Sequence, residues 1–76
     1  MKIFAYQFTD NKIETLKFQT NEYFEGDYID KFYFDFVNDI KFITNFAKTM
    51  ARKLNCKKLV INYRCTEKRY LIKNKK

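Results

Sequence analysis

A helical apolar period in the middle of this chain limits its fold more than any other feature. Ile29, Tyr33, Phe36, Ile40, Ile43, Ala47, Met50 and Leu54 recur at steps of three and four, the pattern of one helix face turned to a core. From Ile40 to Leu54 the composition agrees with the pattern, because Ala, Met, Lys, Arg and Leu all favour helix. Asn55 then suits a left-handed stop. Before Ile40 a second period overlaps the first. Lys31-Phe32-Tyr33-Phe34-Asp35-Phe36 alternates, and as a strand it would put Phe32, Phe34 and Phe36 on one face and leave Asn38 to cap a shorter helix. The longer helix, starting near Asp27–Asp30, is the preferred reading. In it Asp30, Asp35 and Asp39 suit the positive end of the helix dipole.

Extended segments flank this region. Residues 2–8 and 13–19 are aromatic, β-branched and alternating, and read as strands joined by an Asp10-Asn11 turn. That turn sets Phe8 opposite Ile13, Tyr6 opposite Thr15 and Ala5 opposite Leu16. Phe4, Tyr6, Phe8 and Ile13 then share one face, and Ile3, Ala5, Leu16 and Phe18 the other. Residues 20–28 hold the only glycine and read as a loop. Residues 57–65 and 68–73 read as two more strands around a Thr66-Glu67 turn, which sets Tyr63 opposite Tyr70 and Arg64 opposite Arg69. Residues 74–76 form a frayed tail. The expected fold is α+β: one small domain over residues 1–76, in ββαββ order, with an antiparallel sheet of two hairpins packed on one amphipathic helix.

A 76-residue chain buries only about 60% of its surface on folding, so its core is marginal. Nine Phe and six Tyr offset that by burying large areas each, and a homodimer would help further by sharing a core. The excess of Lys, Asn, Ile, Phe and Tyr marks A/T-rich codons, consistent with a bacterial, phage or mobile-element gene.

Charge narrows the partners. The net charge is +7, which favours anions, and it is split unevenly. Residues 1–40 carry eight acids and four lysines; residues 41–76 carry twelve bases and Glu67 alone. Such asymmetry points to an interaction surface.

Three chemistries have little to build on. There is no histidine, so a Cys–His nucleophile and the mixed Cys/His zinc sets are absent. There is no Gly-rich phosphate loop. Cys56 and Cys65 would lie about 30 Å apart on an extended segment, beyond the reach of a disulfide, and read as reduced thiols. No apolar run has the length of a signal peptide or a membrane span. The chain is therefore expected to be a noncatalytic, cytoplasmic binding module without metal or cofactor, working in the host cytoplasm if phage-encoded.

Four surfaces are candidates for that binding. Arg64, Arg69 and Lys73 share the sheet face away from the helix, and the Arg64–Arg69 opposition would be relieved by a phosphate. Lys41, Lys48 and Arg52 fall within about 40° on the helix, a stripe that could track a nucleic-acid backbone. Phe34 and Phe42 project opposite the apolar face of the long helix, as a protein contact or a stacking platform. The acidic, aromatic segment from Glu22 to Asp39, including Glu22, Glu25 and Asp27, could meet a basic protein. The leading expectation is contact with nucleic acid or a nucleoprotein complex. The alternative is a small phage-type inhibitor that occupies a host protein complex through Phe34, Phe42 and the acidic segment.

Overall fold

The computed structural model describes residues 1–73; the expected tail at 74–76 lies outside the described residues. The elements run β1 (Lys2–Asp10), β2 (Ile13–Gln19), β3 (Asp30–Asp35), α1 (Ile40–Lys53), β4 (Lys58–Tyr63) and β5 (Thr66–Leu71). The domain is α+β, with one mixed five-stranded sheet ordered β3-β1-β2-β4-β5 and one helix.

Two parts of the expected topology are corrected. The order is βββαββ, because residues 30–35 form a strand antiparallel to β1. The sheet is not purely antiparallel, because β2 and β4 run parallel, with Leu16 opposite Leu59 and Phe18 opposite Ile61. A parallel pair needs a long crossover, and the segment containing β3 and α1 provides it.

The strand wins over the longer helix at 30–35 because alternation places Phe32 and Phe34 against the core while Lys31, Tyr33 and Asp35 face away. A helix there would have spread these residues around its circumference. Asp30 and Asp35 therefore do not sit in the first turn of α1. Asp39 caps the helix instead, accepting from the backbone N–H of Lys41 at 3.1 Å and of Phe42 at 3.4 Å. Asn38, the cap offered by the strand reading, accepts from the hydroxyl of Tyr63. The helix ends where expected, with Asn55 left-handed at φ 59°.

Both hairpins turn at a different corner from the expected one. The first turns through Asn11-Lys12, both at positive φ, so that Phe8 faces Thr15 and Ala5 faces Phe18. This keeps Asp10 in the strand, where its carboxylate meets Lys58 Nζ at 3.2 Å. The second turns through Arg64-Cys65, which moves Tyr70 opposite Leu59 and Arg69 opposite Val60. Arg64 therefore never opposes Arg69. Each slip is by an even number of residues, so every side chain keeps the face that alternation assigned to it.

The core lies between α1 and one face of the sheet. Ile43, Ala47 and Ala51 of the helix meet Ile3, Ala5, Leu16, Phe18, Leu59 and Ile61. The helix axis lies over β2 and β4, and phenylalanines fill the side nearer β3. Phe34 stacks on Phe18 at 6.0 Å and meets Phe46 edge-on at 5.0 Å. The helix-free face is partly covered by the 20–29 loop. Phe24 lies 4.6 Å from Tyr6 and 4.9 Å from Phe8, and Tyr28 meets Tyr6 at 5.1 Å. The Tyr6 hydroxyl donates to the Glu22 carbonyl, and the Gln19 side chain donates to the Asn21 carbonyl at 2.6 Å. Gly26, at φ 99°, takes a backbone conformation that a side chain would strain.

Candidate nucleic-acid interface

Local folding at two points creates a cleft between the start of α1 and the β4–β5 hairpin. The Asp39 cap starts the helix so that Ile40, Lys41, Thr44 and Lys48 run along the flank facing β5. The Arg64-Cys65 corner then swings Arg64 to the mouth of the cleft, while alternation along β5 aims Lys68 and Tyr70 at the helix. Two adjoining hollows of about 270 and 380 Å³ result, sharing Ile40, Thr44, Lys68 and Tyr70 in their walls. Tyr63 and Arg64 close one end, and Lys41 and Asn45 the other.

None of the residues lining these hollows is acidic. Three cations elsewhere find carboxylates: Lys31 with Glu22 at 3.1 Å, Lys58 with Asp10 at 3.2 Å, Arg69 with Glu67 at 2.8 Å. Lys41, Lys48, Arg64 and Lys68 form no ion pair among the described residues. Two of them are held by aromatic faces instead. Lys48 Nζ sits 4.6 Å from the centre of the Tyr70 ring, and the Arg64 guanidinium carbon 5.3 Å from that of Tyr63. Such contacts contribute about 0.5–1 kcal/mol at exposed sites, enough to restrain a long side chain without neutralising it. Several like charges drawn together without a counterion raise the local potential, and an anion lowers it.

The expected site residues are thus sorted by the fold. Lys41 of the helix stripe joins Arg64 along one cleft, Lys48 borders it over Tyr70, and Arg52 continues the stripe exposed, one turn beyond Lys48. Arg69 does not join them: it lies on the helix-free face, tied to Glu67 of its own strand. Lys73 follows β5 and is exposed. Phe34 is corrected from an exposed platform to a half-buried member of the core cluster, because residue 34 belongs to a strand. Phe42 is 49% exposed and touches Phe36 edge-on at 5.8 Å. Glu22, Glu25 and Asp27 are exposed in the loop before β3. Glu22 is engaged twice, through its carbonyl with Tyr6 and its carboxylate with Lys31. That charge-assisted hydrogen bond also pushes the Lys31 ammonium pKa above its ordinary 10.5.

Lys68, Tyr63 and Tyr70 complete the cleft and are not among the site residues the sequence suggests. Alternation had placed both tyrosines on the helix side, and Lys68 shares that parity. A lysine beside two tyrosines on a packed face was the available signal.

A larger hollow of about 630 Å³ lies on the helix-free face, walled by Phe8, Lys17, Phe24, Glu25, Asn62 and Cys65 among others. Its mixed charge selects no class of ligand. Among the described residues no cluster of three or more His, Cys, Asp or Glu is placed to hold a metal ion. Nor is any helix among them long and apolar enough to cross a membrane. Cys56 is buried and Cys65 exposed, and neither is in a disulfide.

Compared with protein-family models, with curated proteins and with solved structures, the chain matches none of them.

Proposed function

We propose that this domain is a noncatalytic binding module that holds a nucleic-acid backbone in the cleft between α1 and the β4–β5 hairpin. The observation that carries the reading is the meeting of Lys41, Arg64 and Lys68 in a cleft with no acidic wall, with Lys48 beside them over the Tyr70 ring. The four cations contact phosphates, and Arg52 extends the track along the helix. Thr44, Asn45 and Thr66 add neutral hydrogen-bonding groups beside them. Because Lys48 and Arg64 are held on tyrosine rings, they are presented to the ligand with less ordering left to do on binding. The expected affinity is for the backbone, with little preference among sequences.

The test is fluorescence anisotropy of labelled single-stranded DNA, duplex DNA and RNA. With four phosphate contacts, raising salt from about 50 to 200 mM weakens binding about 50- to 150-fold. Replacing Lys48 and Arg64 together by Glu abolishes it, and Phe42→Ser leaves it intact. Absence of binding at the lower salt sinks the proposal. The alternative, an inhibitor docking on a host protein complex, keeps Phe42 and the exposed acids Glu25 and Asp27 as its contacts but loses Phe34 to the core.

A further inference from the structure

Among the described residues the sheet has two open edges of opposite charge. β5 carries Lys68, Arg69 and Glu67 and is flanked by Arg64 and Lys73; β3 and its flanks, residues 22–39, carry six acids against Lys31. Four strand spacings separate the edges by about 19 Å. Open edges carry unpaired backbone N–H and C=O groups, and here the register fixes which they are. Ile72 donates to the Lys57 carbonyl, so in β5 the even residues turn their backbone groups inward and Glu67, Arg69 and Leu71 turn theirs outward. Phe36 donates to the Met1 carbonyl, so in β3 the outward residues are Lys31, Tyr33 and Asp35. The Lys31 N–H is already taken by the Asp30 carboxylate at 2.8 Å.

We infer that copies of this chain associate head to tail, with β5 of one copy pairing antiparallel with β3 of the next. Four features fit together in one register. Opposing Arg69 to Asp35 and Leu71 to Tyr33 brings outward backbone groups face to face. All four side chains lie on the helix-free face, so a copy translated along the sheet keeps its helix on the same side as its neighbour. The pairing also covers two apolar side chains that the monomer leaves bare: Leu71, 83% exposed, and Tyr33, 53% exposed. Asp35 meets Arg69 while one of its oxygens holds the terminal amine at 3.1 Å. Net charge repels two β5 edges, or two β3 edges, and draws unlike edges together. The pairing is heterologous and does not close on itself, so it extends with concentration.

The test is sedimentation of the whole chain across a concentration series at about 50 and 500 mM salt. The weight-average mass should rise above the 9.4 kDa monomer at low salt and fall back at high salt. Leu71→Pro and Tyr33→Pro each remove one outward N–H and leave the inward ladder intact. Each variant alone should be monomeric, and an equimolar mixture should stop at a dimer, because one copy keeps β3 and the other keeps β5. Arg69→Glu and Asp35→Lys test the same edges without proline, and each should also give a monomer. A monomeric wild type at low salt overturns the inference. So does association that survives Leu71→Pro or Arg69→Glu, which would point to a two-fold contact through β3.

Discussion

The hairpins β1–β2 and β4–β5 turn through the same kind of corner. Asn11-Lys12 takes φ of 51° and 67°, and Arg64-Cys65 takes 48° and 63°, the left-handed pair that matches strand twist. Their surroundings differ. The first hairpin sits in the middle of the sheet with side chains buried on both faces: Ala5 and Phe18 under the helix, Tyr6 and Thr15 on the other side. The second shares only β4 with the core, and β5 is exposed along most of its length. The same local turn thus serves a buried hairpin in one place and an exposed one in the other, which under the proposed function presents the ligand site. Stability should follow the first, and binding the second.

The sharpest way to break that division is to truncate one residue in each hairpin. Phe18→Ala removes a ring packed against Phe34 and Phe46 and should cost about 3–5 kcal/mol in urea denaturation. Leu71→Ser should stay within about 0.5 kcal/mol when measured on dilute protein. Equal losses would refute the division. A smaller effect separates the two faces of the first hairpin: Tyr6→Phe removes the hydroxyl that holds the loop through the Glu22 carbonyl, for about 0.5–1.5 kcal/mol.

The corners themselves provide a matched pair. Lys12→Gly and Cys65→Gly each relieve a left-handed non-glycine residue, and each should stabilise by about 0.5–1 kcal/mol. Only changes at the second corner should alter nucleic-acid affinity, since Arg64 stands beside Cys65.

The two thiols give the smallest effect. Burial, with the charge of Glu14 nearby, pushes the Cys56 thiol above its ordinary 9.0. The unfolded chain therefore loses this proton before the folded one does. The stabilisation is complete below pH 9.0 and is lost as pH rises through the raised value. Stability should decline above pH 9 more in the wild type than in Cys56→Ala. A thiol reagent should label Cys65 at once and Cys56 only on opening of the fold.

How much of this was legible in the sequence differs by scale. Alternation placed the side chains of both hairpins on their correct faces, because a face depends only on parity. The pairing partners were not legible, because a corner of Asp10-Asn11 or Asn11-Lys12 satisfies the same local rules. The choice between them rests on distant contacts such as Asp10 with Lys58. Residues 31–36 fit two periods, and the outcome depended on an open edge of β1 that only the assembled sheet supplies. The parallel pairing of β2 with β4 joins residues more than forty apart and leaves no local trace. The helix stripe of Lys41, Lys48 and Arg52 was readable from 100° steps. Its meeting with Arg64 and Lys68 was not, since it depends on the second corner.

In the proposed function the cleft, and not the helix-free face, receives the anion. The most direct measurement is a map of amide chemical-shift changes as a short single-stranded oligonucleotide is titrated into labelled protein at low salt. The largest shifts should fall on Lys41, Thr44, Lys48, Arg64, Lys68 and Tyr70. Shifts concentrated on Lys17, Asn62 and the 20–29 loop, or no shifts at all, would contradict it.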